Sequence, residues 1–224
     1  MGSTEGRNIR KSILSKEEKA ILIGSLLGDG CLRIMGKATV PAFSVSHSEK
    51  QKDYVFWKYR KLKRWIKTSP WREERTYHKD RSRKTFSWRF QTLSDKAFVE
   101  LWETFYLKGK KVIPRNLASL LKDTPLALAV WLMDDGNRNH AAVFLNTQSF
   151  ALQEQHELSK VLKEVYGLNV TVNKHSISNG EQLYRIRIDT ESTRQLPRII
   201  GRHLLPEFYY KIPSFPVTTY PKQG

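Results

Sequence analysis

Apolar residues with helical spacing and stretches in which apolar and polar residues alternate follow one another along this chain. The first helix is predicted over residues 16–29, with Ser15 as its N-cap and the acidic residues Glu17 and Glu18 in its first turn. Gly30 is the residue predicted to end this helix, since glycine is common just past a helix C-terminus. The elements predicted next are strands over 31–47 with a turn near Gly36-Lys37, a helix over 49–66, a hairpin over 69–92 and a helix over 94–106.

The same order of elements returns in the second half of the chain. Thr124 and Pro125 are predicted to cap and open a helix that ends at Asp135. Asn179-Gly180 is typical of a two-residue hairpin turn, because both positions of that turn need a positive φ. The remaining predicted elements are a strand region over 138–148, a helix over 150–166, a hairpin over 169–189 and a helix over 190–204. The fold class is therefore predicted as α+β, with two αββαββα units.

Four pairs of segments support an internal repeat with a period near 100 residues. Any one pair could arise by chance, but four in the same order at nearly constant offset favour a duplicated unit. We therefore predict a first unit over residues 11–114 and a second over 115–224, and leave residues 1–10 out of the fold. The matched segments are Gly24–Gly30 with Val130–Gly136, Phe43–Ser48 with Phe144–Ser149, Trp88–Thr92 with Ile186–Thr190, and Ile113-Pro114 with Ile212-Pro213.

The net charge of the chain indicates what kind of partner it binds. The 224 residues carry 39 Lys and Arg against 22 Asp and Glu, a net charge of +17. A surplus of this size favours a polyanionic partner, nucleic acid before an anionic membrane. The charge is concentrated in the first half, where residues 1–112 hold 26 of the basic and 12 of the acidic side chains.

Composition also excludes several classes of protein. The single cysteine, Cys31, cannot form an internal disulfide, and the sequence has no Cys/His cluster with zinc spacing. No apolar run approaches the roughly 20 residues that a membrane helix needs, and the polar N-terminus lacks the apolar stretch of a secretory signal. We expect a soluble, intracellular protein with no membrane partner.

The two helices that end in an acidic residue and glycine carry the candidate chemistry. Ala20, Gly24 and Gly28 recur every four residues and would let another helix approach closely. If the equivalent helix of the second unit is the partner, Asp29 and Asp135 meet at two helix C-termini, where the dipoles and mutual repulsion disfavour both carboxylates. A divalent cation such as Mg²⁺ relieves both effects and suits phosphodiester hydrolysis. Either motif alone is better explained as a turn after a core helix, whereas both together favour the paired site.

These motifs resemble those of a known family. Leu22–Gly30 reads LIGSLLGDG and Leu128–Gly136 reads LAVWLMDDG, and both resemble the motif of LAGLIDADG homing endonucleases, in the single-chain form that carries two copies. The ending of the second copy is similar to a subgroup common in organellar introns. The resemblance covers residues 15 to 215, and the downstream segments that also match the subgroup are His47–Gln51, Gly109–Pro114, Asn146–Ser149 and Tyr209–Ile212.

The resemblance implies a fold and a reaction. The motif helices would form the interface between two pseudo-symmetric units, whose curved antiparallel sheets form a saddle over DNA. Asp29 and Asp135 would be metal-binding catalytic acids, one in each active site, and the backbone carbonyls of Gly28 and Asp134 would complete the coordination. The expected cofactor is Mg²⁺, with Mn²⁺ and Ca²⁺ as other divalent cations that the same ligands can bind. The reaction would be site-specific double-strand cleavage of a long, asymmetric DNA target.

The second motif copy departs from the first at two positions. Val130 stands where the first copy has Gly24, which argues against exact symmetry of the helix packing, and Ala127 and Ala129 could supply a shifted close contact. Asp134 stands where the first copy has Gly28 and adds a third carboxylate near the site. Two roles for Asp134 stay open at this point: it caps a neighbouring group, or its side chain contacts metal.

Other polar residues are candidates for the catalytic machinery by the same resemblance. His47 and Gln51 match polar pocket residues of the family, and Gln148 is the sequence counterpart of His47. Lys111 and Lys211 match basic residues near the scissile phosphate, with Lys110 as an alternative to Lys111. For each of these residues an ordinary surface role or a plain DNA contact is an equally good interpretation.

DNA affinity and recognition are expected from basic and polar side chains on the strands, which would read the major groove. The weaker charge of the second unit indicates that the two half-sites are read differently. The candidates in the first unit are Arg33, Lys37, Arg72, Arg75, Lys79, Arg81, Arg83, Lys84 and Arg89. The candidates in the second unit are Arg138, Asn139, Lys174, His175, Tyr184, Arg185 and Arg187. Most tryptophans fall on apolar faces and are predicted to be core, with Trp71 as the exception.

Two other functions stay open. An RNA-binding maturase that assists splicing of its own intron would use the same basic surface, so intron RNA is a possible partner. A non-catalytic DNA-binding regulator on the same fold would be expected to lose a motif acid, and this chain keeps both. A monomer is expected, because the repeat supplies the second half of the active-site pair, and the resemblance implies an organelle-encoded protein or one of the prokaryotic cytoplasm.

Overall fold

The computed structural model describes residues 13–76 and 84–213. Its α-helices in these ranges are α1 (Lys16–Leu27), α2 (Lys52–Lys61), α3 (Val99–Phe105), α4 (Leu117–Leu121), α5 (Pro125–Asp135), α6 (Leu152–Tyr166) and α7 (Thr190–Ile200). Its strands are β1 (Cys31–Arg33), β2 (Ala42–Ser48), β3 (Trp71–Thr76), β4 (Lys84–Gln91), β5 (Tyr106–Leu107), β6 (Lys110–Lys111), β7 (Gly136–Asn139), β8 (Ala142–Leu145), β9 (Val170–Ser178) and β10 (Glu181–Ile188). Short 3-10 helices lie at Glu49–Gln51, Lys63–Trp65, Lys96–Phe98, Gly201–His203 and Pro206–Lys211.

Two four-stranded antiparallel sheets repeat the same strand order. The first sheet has the order β1-β2-β4-β3 and the second has the order β7-β8-β10-β9. Each sheet follows one motif helix and is interrupted by one long helix, α2 or α6. The α+β fold with an internal repeat is therefore confirmed, while the division into units at residues 114 and 115 stays a prediction.

The helix α1 begins where the sequence predicts and ends earlier. The Ser15 hydroxyl accepts the Glu18 amide at 3.2 Å, and the Glu18 carboxylate accepts the Ser15 amide at 2.7 Å, which completes a capping box. The helix ends at Leu27, with Gly28 as its C-cap. The role predicted for Gly30 is wrong: its φ is not positive, and a Cβ on it would lie 2.7 Å from the ring of Phe43. Gly30 is required by close packing.

The helix α5 spans the predicted residues, but its N-terminus is not capped as predicted. Thr124 occupies the N-cap position, yet its hydroxyl makes no cap hydrogen bond and donates to the Leu120 carbonyl at 3.0 Å. Pro125 lies in the first turn, where the missing amide costs nothing. The predicted side-chain cap at Thr124 is therefore wrong, because its hydroxyl binds the preceding α4 instead.

The pair of motif helices packs through complementary shapes. A Cβ built on Gly24 would lie 2.4 Å from the Ala127 carbonyl oxygen and 2.7 Å from the Val130 Cβ. A Cβ on Gly28 would lie 2.6 Å from the Asp134 Cβ. Each larger residue of α5 thus sits over a glycine of α1, so both departures of the second motif from the first are explained by this packing. The expected close contact at Ala127 is present.

One hydrophobic core joins both halves, and its centre is the α1–α5 pair. Phe43 and Phe90 of the first sheet and Leu145 and Ile188 of the second belong to the same buried cluster as the motif helices. Dismantling the helix pair would therefore expose the core of both repeats.

Within the described ranges, no helix combines the length and the apolar character that a membrane crossing requires.

Some elements differ from the sequence prediction. The region 138–148 forms two strands, β7 and β8, with His140 at positive φ between them. The hairpin of β9 and β10 turns at Asn179-Gly180 as predicted, with φ values of 50° and 81°. The small hairpin β5–β6 and the helix α4 were not predicted, because elements of two and five residues are too short to show periodicity.

Candidate active site

The two predicted catalytic acids lie at neighbouring helix ends. Asp29 follows α1, and Asp135 is the last residue of α5, the helix packed against it. The backbone N–H of Asp29 donates to Asp134 Oδ2 at 3.3 Å, so the end of one motif helix is bonded to the end of the other. The Asp29 side chain is 46% exposed, whereas that of Asp134 is fully buried. Asp29 is therefore open to a ligand from outside.

A lysine from a distant segment lies against the end of α1. Lys111, on β6, donates to the Gly28 carbonyl at 3.1 Å and to the Gly30 carbonyl at 2.8 Å. Its neighbour Lys110 is exposed and lines a groove together with Gln148. Between the two lysines that the sequence left open, the structure brings Lys111 to the motif.

A second lysine lies in the same way against α5. Lys211 donates to the Met133 carbonyl at 2.6 Å, and its ammonium lies 3.3 Å from the Leu132 carbonyl and 3.4 Å from that of Asp134. Burial lowers the pKa of Lys211 to about 8, although the nearby Asp134 opposes this effect. Burial also lowers the pKa of Lys111. Each motif helix thus ends against an ammonium group, which offsets the negative end of its dipole.

His47 connects the exposed acid to the buried one. Its Nδ1 lies 3.3 Å from Asp29 Oδ2, and its Nε2 lies 3.3 Å from Lys58 Nζ and 3.7 Å from Asp134 Oδ1. The ring packs on Tyr54, with 5.0 Å between centroids. The sequence prediction that His47 belongs to the acid pocket therefore agrees with its position.

Asp134 is held by a buried network. Lys58 Nζ lies 2.8 Å from Asp134 Oδ1 and 3.0 Å from Oδ2, and the Tyr54 hydroxyl donates to Oδ1 at 2.7 Å. The side chains of Lys58 and Asp134 have no exposed surface. Of the two roles left open for Asp134, the structure supports the first: its carboxylate caps the Asp29 N–H and binds protein groups.

The two motif acids have different electrostatic surroundings. Partial burial raises the pKa of Asp29, but His47 and the more distant Lys58 and Lys211 outweigh it, and the pKa lies below its usual value. Burial raises the pKa of Asp135, and repulsion from Asp29 and Asp134 adds to it, so that the pKa reaches about 8. Negative charge at Asp135 is thus incompletely compensated by the protein's own cations.

The donor groups at this site fit a hard divalent cation. Asp29, His47 and Asp134 present ligand atoms that all lie within 4.8 Å of one another. Because Lys58 and Tyr54 already bind the buried Asp134 carboxylate, Asp29 is the member of this group that is open to a cation. Carboxylate oxygens are the donors that Mg²⁺ and Ca²⁺ prefer, and a cation would relieve the repulsion that raises the Asp135 pKa. The carbonyls of Gly28 and Asp134, predicted as further ligands, accept from Lys111 and Lys211 here.

Two other predicted pocket residues make local contacts. Gln51, at the start of α2, accepts from the Ser48 hydroxyl at 3.5 Å. Gln148 donates to Asn146 at 3.4 Å and lines the groove that also contains Lys110. Their catalytic roles stay predictions.

The strand register corrects the alignment of the two repeats by one residue. Asn137, which follows the second motif glycine, pairs with Phe144. Cys31, which follows the first motif glycine, pairs with Ser44. These pairs match Ser44 with Phe144, whereas the sequence repeat matches residue 43 with Phe144.

This register ends at Leu145, because the chain leaves the strand at Asn146 and the Thr147 N–H donates to the Leu145 carbonyl at 3.0 Å. The role of Gln148 as the counterpart of His47 therefore stays a prediction. Thr147 is buried like His47, and its hydroxyl donates to Gln155 at 2.9 Å and accepts the Ile186 N–H at 3.2 Å. Thr147 and Gln155 thus make a neutral contact, whereas His47 lies beside the Lys58–Asp134 ion pair, so the two halves of the site are not equivalent.

The first sheet sorts the predicted DNA-binding residues onto two faces. Residues directly opposed in a sheet share a face. Arg89 pairs with Ser46 and Trp71, on the face away from α2. Arg72 pairs with Trp88, whose ring packs on Phe56 of α2. We call the face away from α2 the open face and the face that packs against α2 the helix face. By the same register, Arg33 and Arg75 lie with Arg89 on the open face, and Lys84 lies with Arg72 on the helix face.

Acidic side chains accompany these arginines. Glu73, on the open face, lies 3.0 Å from Arg89 and 3.2 Å from Arg75. Arg72 pairs with Glu49 at 2.9 Å, and its guanidinium lies 3.6 Å from the Phe86 ring centroid. Arg72 and Lys84 lie on the helix face, and their DNA-binding role stays a prediction. Lys37 lies in the exposed turn after β1, and Lys79, Arg81 and Arg83 lie outside the described residues.

The second sheet shows the same sorting. Arg187 pairs with Phe144, and Arg185 lies 3.8 Å from the Phe144 ring centroid, so both lie on the open face. Asn139 shares that face by alternation from Asn137. Arg138 lies on the opposite face, because it pairs with the buried Val143. Tyr184 and its partner Lys174 also lie on that face, which they share with the core residue Ile186. His175 is exposed near the far end of β9.

The tryptophans have the predicted environments. Trp65 and Trp131 are buried, Trp57, Trp88 and Trp102 pack partly buried against the core, and Trp71 is exposed on the open face of the first sheet. Sequence reasoning missed Tyr54 and Lys58, although it had placed both on one helix. Lys58 lies four residues after Tyr54, on the same face of the helix. A lysine on the apolar face of a helix signals a buried ion pair, since a buried ammonium group needs an acid as partner.

Comparisons with known proteins agree with this geometry. The model of the LAGLIDADG DNA endonuclease family matches residues 19–196. The chain is 30% identical over 209 residues to the cytochrome b mRNA maturase bI2 of Debaryomyces hansenii, covering 90% of this chain and 76% of the relative. It is 28% identical to the DNA endonuclease I-ChuI of Chlamydomonas applanata, covering 89% of this chain and 95% of the relative.

A solved structure shows the same fold. The homing endonuclease I-WcaI, bound to its DNA recognition sequence, superposes with a TM-score of 0.80 at 24% identity, and the match covers 94% of both chains. The doubled strand order, the packed pair of motif helices and the family match over residues 19–196 lead to one conclusion. This chain belongs to the LAGLIDADG DNA endonuclease family.

Proposed function

We propose that this protein is a divalent-metal-dependent homing endonuclease that cuts both strands of a long, asymmetric DNA site. The observation that carries the proposal is the pairing of Asp29 and Asp135 at the ends of two packed helices, with Lys111 and Lys211 against those same ends. Two acids and two ammonium groups in one place match the needs of hydrolysing two phosphodiester bonds.

Asp29 and Asp135 would hold the cation, and Mg²⁺ is the expected one. A bound Mg²⁺ would neutralise phosphate charge and lower the pKa of water. The partial exposure of Asp29 and the raised pKa of Asp135 both support a cation here.

The chain's own residues supply the remaining roles. Lys111 and Lys211 are cations beside the motif ends, where they would stabilise negative charge that develops on a phosphate. His47 would orient water at Asp29, because its Nδ1 lies 3.3 Å from that carboxylate. Gln51 and Gln148 would be outer contacts to water or DNA.

Double-stranded DNA would bind across the open faces of the two sheets. Arg33, Arg75 and Arg89 would contact it from the first sheet, and Arg185 and Arg187 from the second. The sheets differ in sequence and charge, which supports an asymmetric target. A monomer would suffice, since one chain supplies both acids. The names of the relatives, which include an intron-encoded endonuclease of Dictyostelium discoideum, support an intron-encoded, organellar origin.

A maturase is the second candidate, and one observation favours it. The relative at 30% identity over 90% of this chain is named an mRNA maturase. Binding of intron RNA by the same protein would be compatible with DNA cleavage, since neither activity requires loss of the motif acids. A purely regulatory DNA-binding protein is less well supported, because Asp29 and Asp135 are both present.

The test is cleavage selection on a library of candidate intron-junction DNA with Mg²⁺, comparing the wild type with Asp29→Asn and Asp135→Asn. We expect site-specific double-strand cuts in the wild type, and nicks or no product in each variant. If the protein enriches a DNA site but no divalent cation yields cutting, the nuclease proposal fails. Retention of a labelled intron RNA in that case would favour the maturase.

A further inference from the structure

A buried ion pair crosses from the first repeat to the second. Lys58 belongs to α2 of the first repeat and Asp134 to α5 of the second, and their charged atoms lie 2.8 and 3.0 Å apart with no exposed side-chain surface. Tyr54 adds a hydrogen bond to the same carboxylate at 2.7 Å. Desolvation makes such pairs poor stabilisers compared with apolar side chains of similar size, so stability alone is a weak reason for this one.

The pair contacts the Asp29 site at two points. Through Asp134 Oδ2 it accepts the backbone N–H of Asp29 at 3.3 Å. Through Lys58 Nζ it reaches His47 Nε2 at 3.3 Å. The backbone of Asp29 and the ring that faces its carboxylate are therefore both held by one buried pair.

The contact between Lys58 and His47 has a chemical consequence. An ammonium group has only donors, so Nε2 of a neutral His47 must accept from Lys58. The ring proton then lies on Nδ1, which is 3.3 Å from Asp29 Oδ2. By donating to Nε2, Lys58 therefore makes Nδ1 the donor nitrogen of the ring, on the side that faces Asp29.

Within the described part of the second repeat, no such buried ion pair is present. The position of Asp134 is occupied by Gly28 in the first motif, and the buried polar side chains that follow β8 are Thr147 and its partner Gln155. Their contact is a neutral hydrogen bond of 2.9 Å. Any effect of the Lys58–Asp134 pair should therefore fall on one half of the site.

We propose that Lys58 and Asp134 are positioning residues that hold the Asp29 backbone and set the Nδ1–H form of His47, so that they support cleavage of one DNA strand only. The strand is the one whose cleavage Asp29→Asn abolishes. This inference rests on the proposed function for its kinetic consequence, while its consequence for His47 does not depend on any cleavage.

The kinetic test measures cleavage of each strand separately with end-labelled target DNA. The variants are Lys58→Met and the double variant Lys58→Met with Asp134→Asn, in which no buried charge is left alone. Outer-sphere contacts of this kind contribute about 10- to 100-fold, so we expect the Asp29-dependent strand to be cut at least about 10-fold more slowly. The other strand should be slowed much less, and nicked DNA should accumulate.

A matched control separates positioning from loss of stability. Glu18→Gln breaks another buried acid's ion pair, with Arg64, at the opposite end of α1. We expect this variant to unfold more easily and to cut both strands equally below its melting temperature. Equal slowing of both strands by the folded Lys58 variants, or no slowing, would overturn the proposal.

A second measurement needs neither DNA nor activity. Nitrogen-15 NMR of histidine side chains distinguishes the two tautomers, and His47→Gln assigns the His47 signal. We expect the Nδ1–H form in the metal-free wild type and a shift toward Nε2–H in the double variant. A wild-type His47 in the Nε2–H form would overturn the proposal even if the variants fail to fold. If the spectra agree but no cleavage occurs, the proposed function fails instead.

Discussion

Gly28 and Asp134 occupy the same position in the two motif copies, and in the folded chain they pack on each other: a Cβ added to Gly28 would lie 2.6 Å from the Asp134 Cβ. The glycine leaves the space that the aspartate side chain fills. From there the Asp134 carboxylate reaches Lys58, Tyr54 and the Asp29 N–H. The asymmetry of the two motifs is therefore a packing requirement, and it places a third carboxylate between the repeats.

Replacing Gly24 by alanine should destabilise the helix pair. The added Cβ would lie 2.4 Å from the Ala127 carbonyl oxygen, a backbone atom that cannot move without shifting α5. Overpacking of this kind costs about 1–3 kcal/mol and sometimes more. Chemical unfolding should show a loss of about 2 kcal/mol or more in the free energy of unfolding.

The control for this variant is Ser25→Ala, at the next residue of the same helix. The Ser25 hydroxyl is buried and has no hydrogen-bond partner among the described residues, so its removal should be close to neutral. If Gly24→Ala is as stable as Ser25→Ala, the helices do not approach as closely as the structure indicates.

Replacing Lys111 by methionine should impair cleavage much more than the same change at Lys110. Lys111 donates to the Gly28 and Gly30 carbonyls beside Asp29, while Lys110 is exposed. Loss of one charge-stabilising donor at a reaction centre costs on the order of 100-fold in rate. Single-turnover cleavage at saturating enzyme would measure this effect apart from DNA binding, and equal losses at the two lysines would contradict it.

Acid should weaken the contribution of Glu18 to stability. Burial raises the pKa of Glu18, but hydrogen bonds from Arg64, Ser15 and Trp65 outweigh it, and the pKa falls from 4.5 to about 2. A depressed folded-state pKa means that the stabilisation is fully present above pH 4.5 and is lost as the pH falls through about 2. Glu18→Gln should therefore lose stability relative to the wild type near neutral pH, and the difference should narrow below pH 4.5. A difference that is constant with pH would contradict the assignment.

Arg187 and Arg72 should differ in their effect on DNA binding. Arg187 lies on the open face of the second sheet, whereas Arg72 lies on the helix face of the first and pairs with Glu49. Removing one phosphate contact lowers the slope of log K against log salt by about 1. Arg187→Ala should lower the slope or weaken binding at one base position, and Arg72→Ala, with the same loss of charge, should do neither. A titration series at several salt concentrations measures both, and equal slopes for the two variants would show that the sheet faces do not decide DNA contact.

The sequence by itself determined the local elements and the repeat. Periodicity located the long helices, Asn179-Gly180 specified its hairpin turn, and the two acid–glycine endings identified the motif helices, because each of these signals depends on neighbours within a few residues. The packing of the motif helices followed from their small residues, and the presence of His47 and Lys111 near the acids followed from the family resemblance.

Only the tertiary structure decided how the two halves meet. Which sheet face carries Arg72 depends on strand register, and what Asp134 binds depends on contacts with residues 76 or more positions away. A one-residue change of register moves a side chain to the other face, and a buried charge takes its partner from whatever element packs over it. The pairing of Lys58 with Asp134 is of that kind: local sequence places each on a helix, and the contact between α2 and the end of α5 makes them one site.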